Sequence, residues 1–418
     1  MSLPLAAASK LASSSRSALI RRSTQGLATP RSDASIYNHA FRVRRYAQVG
    51  STTYVGEPPT APNPPSGGGT NNSPQSASSS MQPPPIAKPY DALVLAELAK
   101  DGACRSPSLT DLVEQYMKSA GHVLDVSLPY ESRPTADRRI RFTTDVNGVE
   151  VSSADDALAM IAHAARDHSG RHKVTYSMGF AVAPPGLPEG RMALLTCAHT
   201  LEEIQHDPLV RTNHPRPALP ADALRSGSFV ISRSSTSPTS TPVFRPVSSV
   251  LSAMHRGDLL LLSTLTSPPA TDPVSSSGLR SLPVNPYPVH PGTPIRAHFV
   301  ADEPPATGAD RTGWTPWIGG TWRKWIKGTV AGYRDYAGRE AKPGTYDSLA
   351  HLHFDPPPTP GSSGGPIVDE ESGSVIGVVL GTQLVNQVEG VKGWGVPAEM
   401  IFEMFSLPGL KLNNRGDS

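Results

Sequence analysis

The stretch TPGSSGGPIVDEESGSVIGVV (residues 359–379) decides the fold, because its composition supports two opposed readings. Its glycines and serines are what a flexible linker is made of. Yet the glycines crowd around one serine, Ser363, and the apolar run SVIGVVLG (374–381) begins a few residues later. Glycine is also the residue used where a backbone turns tightly or approaches another group closely. On this second reading GSSGGP (361–366) is a rigid turn that presents Ser363, with the N–H groups of Gly361 and Ser363 converging on one point where negative charge can develop. The chain then folds back as a hairpin around DEESG.

The surroundings favour the turn. From about residue 171 the chain is a series of short strand-like runs separated by Pro- and Gly-rich loops: VTYSMGFAVA (174–183), MALLTCAHT (192–200), GSFVISRS (227–234), DLLLLSTL (258–265), PIRAHFVA (294–301), WIKGTVAGYRDY (325–336), LAHLHF (349–354), GPIVD (365–369) and SVIGVVLG. Such spacing argues for an all-β sandwich or barrel, not for a sheet linked by helices. PAEMIFEMFSL (397–407) reads as a terminal helix.

A serine hydroxyl becomes a useful nucleophile when an imidazole takes its proton and a carboxylate orients and charges that imidazole. LLTCAHT (194–200) ends an apolar strand at His199, and HRGDLLLLS (255–263) puts Asp258 before a run of leucines that can shield it from water. Asp207 and Asp222 are the other candidates for the carboxylate.

The order His199, Asp258, Ser363, together with the motifs TCAH, DLLLL and GSSGGP, resembles a trypsin-like (chymotrypsin-fold) serine protease domain. The details are closest to the HtrA/DegP branch: DPPPTPGSSGGPIV (355–368), GSVIGVV after the serine, GWGVPAEM (393–400) and the upstream SMGFAVAP (177–184) are similar to that branch's segments. The resemblance implies a double six-stranded barrel and peptide-bond hydrolysis through His199, Asp258 and Ser363, with an oxyanion hole from Gly361 and Ser363. It implies a protein or peptide substrate and no cofactor. A PDZ domain is not expected after Ser363. Ser362 stands where digestive enzymes carry the aspartate that pairs with a freshly cut N-terminus, so activation by that ion pair is not expected. Pro357 stands where trypsin has its acidic specificity residue, which implies uncharged side chains as substrates, and Gly381 and Gly393 are the candidate pocket walls.

Five segments are expected. Residues 1–46 carry Lys10, Arg16, Arg21, Arg22, Arg31, Arg42, Arg44 and Arg45 against a lone Asp33, the composition of a mitochondrial presequence, and RVRRYAQ (42–48) suits a cut after Tyr46. A solvated basic tail is the alternative. Residues 47–88 are a disordered Pro/Ser/Gly-rich linker. Residues 89–170 are a small α+β accessory segment: helices over 90–100 and 106–121, the second capped by Ser108, a hairpin around Asn147-Gly148, and a helix over 152–170 with Ala157, Met160, Ile161 and Ala164 on one face. Residues 171–408 form the protease-like domain and 409–418 a tail.

Other classes find little support. A net charge of +2 gives no electrostatic footprint for nucleic acid, and the basic, Trp-containing TWRKWIKG (321–328) aligns with a barrel strand. No apolar run reaches the length of a membrane span, so a soluble chain is expected, in the mitochondrial matrix more than the intermembrane space. Cys104 and Cys197 are too few for a disulfide framework. His351 and His353 share a strand face but lack partners for zinc, so no metal is expected. The competing functional class is a barrel kept as a non-catalytic binding or scaffold module in a mitochondrial complex.

Overall fold

The computed structural model describes residues 88–100, 107–144, 150–211, 224–233, 241–266, 279–303 and 313–408. The expected presequence, the linker up to residue 87, Cys104, the Asn147-Gly148 turn, Asp222 and the C-terminal tail lie outside the described residues.

Helices α1 (Pro89–Leu98) and α2 (Leu109–Lys118) open the described chain. The start of α2 is fixed reciprocally: Ser108 Oγ accepts the Asp111 N–H at 3.2 Å and Asp111 accepts the Ser108 N–H at 3.1 Å, which satisfies two otherwise orphaned donors. Strands β1 (Phe142–Thr144) and β2 (Glu150–Ser152) form the expected hairpin.

Two closed six-stranded antiparallel barrels follow. The first contains β3 (Leu158–Asp167), β4 (His172–Val182), β5 (Arg191–Cys197), β6 (Leu224–Ser232), β7 (Val243–Met254) and β8 (Leu259–Leu265), in the ring order β3-β4-β5-β8-β7-β6. Helices α3 (His199–His206) and α4 (Pro208–Arg211) lie between β5 and β6 in the chain. The second barrel contains β9 (Pro294–Ala301), β11 (Trp322–Arg334), β13 (His351–Asp355), β14 (Pro366–Asp369), β15 (Val375–Asn386) and β16 (Gly390–Pro397). It closes because β9 pairs with both β14 and β11, while the two-residue strands β10 (Thr315–Pro316) and β12 (Glu340–Ala341) flank β11. The double barrel implied by the resemblance is present.

Residues 152–170 are a correction. In place of a helix they form β3, paired along its length with β4 and β6, so the first barrel begins inside the segment read as accessory. The reason is burial of both faces. Ala159, Ile161 and Ala165 join a cluster with Leu109, Leu112 and Tyr116 of α2 and Leu201 and Ile204 of α3. Leu158, Met160, Ala162 and Ala164 join a second cluster that reaches Trp317, Trp325 and Val378. With apolar residues on both sides no alternation is visible, and Ala and Met bias such a run toward helix until pairing overrides propensity. The terminal helix is also shorter than expected: α5 is Glu399–Phe402, after which Ser406 N–H donates to the Leu124 carbonyl at 2.9 Å.

The barrels are joined through polar groups as well as apolar ones. Asp155, just before β3, accepts from Trp325 Nε1 at 2.9 Å and Arg323 Nη2 at 3.2 Å on β11. Leu282 N–H reaches the Ala181 carbonyl at 2.8 Å. Two histidines are wholly buried: His163 on β3 bonds Ser228 Oγ through Nδ1 at 2.7 Å, and His298 on β9 lies between the rings of Trp317 and Trp325. Among the described residues His163 Nε2 and both ring nitrogens of His298 have no hydrogen-bond partner.

Burial pushes the His163 pKa down to about 3, and burial plus the Arg323 charge pushes that of His298 well down. The unfolded chain therefore binds these protons first as pH falls below about 6.5, and the stability present above that pH is lost toward the folded-state values. Each histidine contributes a slope of at most about 1.4 kcal/mol per pH unit. Urea midpoints should fall between pH 7 and pH 5, and His298→Leu should flatten that fall. An unchanged slope in the variant would contradict the assignment.

Candidate active site

β5 delivers Cys197 and Ala198 into the first turn of α3, so His199 starts a helix directly behind a buried strand. The chain before β8 makes a short 3₁₀ turn and then places Asp258 at φ 53°, the one non-glycine residue in the left-handed region among the described residues. Asp is one of the few residues that tolerate this conformation. The result is a carboxylate held on both oxygens. Asp258 Oδ1 accepts the N–H groups of Ala198 at 2.9 Å and His199 at 2.8 Å, and Oδ2 accepts His199 Nδ1–H at 2.6 Å. Both side chains are buried. Asp207 instead ends α3, where its Oδ1 accepts the Leu209 N–H at 2.8 Å.

Burial disfavours the charged imidazole, but the Asp258 carboxylate, helped by the Cys197 sulfur, outweighs it and raises the His199 pKa well above 6.5. Its Nε2 lies 3.7 Å from Cys197 Sγ. This contact gave no signal in the sequence beyond a cysteine two residues before the histidine. Cys197 is a free, buried thiol.

The serine turn is clamped from both barrels. On the β9 side, Thr359 Oγ1 donates to the Val300 carbonyl at 2.7 Å and Ser362 Oγ accepts the Val300 N–H at 3.0 Å. On the β4 side, Met178 N–H donates to the Ser363 carbonyl at 2.7 Å. Gly364 N–H donates to Val379 at 2.7 Å. The N–H groups of Gly361 and Ser363 are not taken by any acceptor among the described residues. A β-carbon on Gly364, at φ 84°, would lie 2.0 Å from the Met178 carbonyl oxygen and 2.7 Å from Thr196 Oγ1, so glycine alone fits between the barrels. The Ser363 hydroxyl itself donates to the Leu380 carbonyl at 2.9 Å.

Of the expected pocket residues, Pro357 is exposed and Gly381 sits opposite Trp394 at an irregular point of the β15–β16 ladder. The open side of Gly393 faces the Phe354 ring, 2.5 Å from where a β-carbon would be, so that side is filled by protein. A cleft of about 460 Å³ lies elsewhere on the second barrel, lined in part by Tyr333, Arg334, His353 and Lys392. His353 shares a hydrogen bond of 2.9 Å with Gln383.

Residues 177–378 match the family model described as a trypsin-like peptidase domain. That match takes in His199, Asp258 and Ser363. Solved structures similar to this protein include Deg5 (15% identity, TM-score 0.35, 60% of this chain and 86% of that one). The protease domain of MamO from Magnetospirillum magneticum is 16% identical, with a TM-score of 0.33 over 60% of this chain and 95% of that one. The HtrA-type protease AlgW, solved with a decapeptide, is 16% identical, with a TM-score of 0.32 over 59% and 62% of the two chains. No curated protein matches the sequence.

The serine turn depends on the glycine at 364. Gly364→Ala combines a left-handed backbone with a contact no side-chain motion can relieve, and should cost about 3 kcal/mol or more. A thermal melt reads the loss, and a variant as stable as the parent would contradict the close approach.

Proposed function

We propose that this protein is a serine endopeptidase. The observation that carries the proposal is the buried carboxylate of Asp258 holding His199 Nδ1 at 2.6 Å, in the same fold that clamps Ser363 on a turn with two unused N–H groups. Ser363 Oγ leaves the Leu380 carbonyl and turns to His199 Nε2, which takes its proton as Oγ attacks a peptide carbonyl carbon. The C=O π pair moves to oxygen, where the N–H groups of Gly361 and Ser363 stabilise the oxyanion. The tetrahedral centre collapses to an acyl-enzyme, and the leaving amine takes the proton from His199. Water then enters, gives a proton to His199 and releases the acid, returning the proton to Ser363. Asp258 holds the tautomer and stabilises the imidazolium throughout.

A second reading is a non-catalytic scaffold. It is favoured by the Ser363 hydroxyl bonding Leu380 and by His199 Nε2 lying against Cys197. A fluorophosphonate probe separates the two. The wild type should be labelled, and Ser363→Ala and His199→Ala should not; a folded wild type that resists the probe would support the scaffold.

Because a protonated His199 cannot accept a proton, labelling should speed up as pH rises, with its midpoint well above 6.5. A rate flat between pH 6 and pH 9 would refute this charge state.

The basic, nearly acid-free residues 1–46 support a mitochondrial location, with the matrix favoured. The mature protein should begin at Ala47. N-terminal sequencing of protein recovered from mitochondria checks this, and an intact Met1 in that material would contradict it.

A further inference from the structure

We propose that Tyr176 and Asp302 are positioning residues for the oxyanion turn, and that the start of α1 completes their support. The inference rests on the serine-endopeptidase reading. It begins with Gly361, whose φ of 92° aims one of the two unused N–H groups. A β-carbon on Gly361 would lie 2.8 Å from Tyr176 Cε2 and 3.1 Å from its Oη. The tip of the Tyr176 ring therefore rests directly on the glycine that shapes the turn.

That ring is itself held on three sides. Its backbone is a barrel residue on β4, paired with Ala162 on β3. Its hydroxyl donates to Asp302 Oδ1 at 2.5 Å. The Tyr90 ring from α1 packs against it, with centroids 4.8 Å apart and planes at 54°. Tyr90 is buried and sits over Gly319, where a β-carbon would meet it at 2.8 Å. Lys88, one residue before α1, donates to Asp302 Oδ2 at 2.6 Å.

Asp302 is well placed for this because β9 already holds the turn. Val300 bonds both Thr359 and Ser362, and Asp302 is two residues further along the same segment. One short piece of chain thus fixes the turn from below through Val300 and from the side through Asp302 and Tyr176. Ser362 has no charge with which to recruit a new N-terminus, and the packed tyrosine supplies the bracing that such an ion pair would give. If Tyr176 withdraws, the left-handed Gly361 is free to rotate and its N–H swings away from the oxyanion position. A weaker oxyanion hole slows acylation without altering how substrate is held before attack.

Full-length Tyr176→Leu, Asp302→Ala and Asp302→Asn provide the test, with fluorophosphonate labelling rate, kcat and KM on a peptide substrate, and hydrogen exchange of residues 359–365 as readouts. Asp302→Ala should slow labelling and kcat by about tenfold or more, less than the hundredfold or greater loss of a complete donor, with KM unchanged. Exchange in 359–365 should quicken while the barrel strands keep their protection. Tyr176→Leu should do the same, and Asp302→Asn, which keeps an acceptor for the tyrosine hydroxyl, should stay near wild type. Asp302 is half-exposed, so its variants should fold even if Tyr176→Leu does not. Wild-type labelling and exchange rates in Asp302→Ala overturn the proposal and leave the peptidase reading standing. A wild type that never labels defeats the peptidase reading, and exchange in 359–365 then decides positioning alone: faster in Asp302→Ala upholds it, unchanged overturns it.

Discussion

The contact between Gly364 and the Met178 carbonyl is the constraint on which the rest of the site depends. Two barrels that each close on themselves need not touch at a fixed distance, yet here one turn of the second barrel is pressed against β4 of the first at Met178. Met178 donates its N–H to Ser363 and leaves no room for a side chain at Gly364. The same strand order brings β5 and β8 together in register, Cys197 opposite Leu259, so that the residues just beyond each end, His199 and Asp258, meet. Neither barrel contains the arrangement alone.

The two halves of the site are held by different physics. His199 and Asp258 are joined by a buried, charge-assisted hydrogen bond with two backbone donors completing the carboxylate's shell, which answers the cost of desolvating it. The serine turn has no ionic bond. It is held by short neutral hydrogen bonds to Val300 and Met178, each worth about 1 kcal/mol, and by packing so close that glycine is obligatory at 364. Such a turn is specified by shape, which is why its composition resembles a linker.

Legibility in the sequence followed from how local the determining physics is. Ser108 at the head of α2, the hairpin strands around Asn147-Gly148 and the glycine turn at 361–365 announce themselves within a few residues, and each was visible. His199, Asp258 and Ser363 became candidates because their local motifs occur in a telling order. β3 was not, since both of its faces are buried and its alanines and methionine read as helix. β7 was missed for the opposite reason: Pro246 and a run of serines interrupt its alternation, and neighbours in the barrel supply what its own pattern lacks. The Tyr176–Asp302 bond and the Cys197–His199 contact depend on how strands far apart in sequence are stacked, and no spacing rule reaches them.

For the proposed chemistry, relative magnitudes identify the step that controls readiness. Moving the Ser363 hydroxyl from Leu380 to His199 exchanges one neutral hydrogen bond for another, a matter of about 1 kcal/mol. Freeing His199 of its proton costs about 1.4 kcal/mol for every unit by which its pKa exceeds the ambient pH, and Asp258 and Cys197 both push that pKa upward. Once the excess passes about one unit, the charge on the imidazole outweighs the orientation of the serine. In this proposal the Cys197 sulfur, 3.7 Å from the nitrogen that would receive the serine proton, adds to Asp258 in holding the charge on that ring.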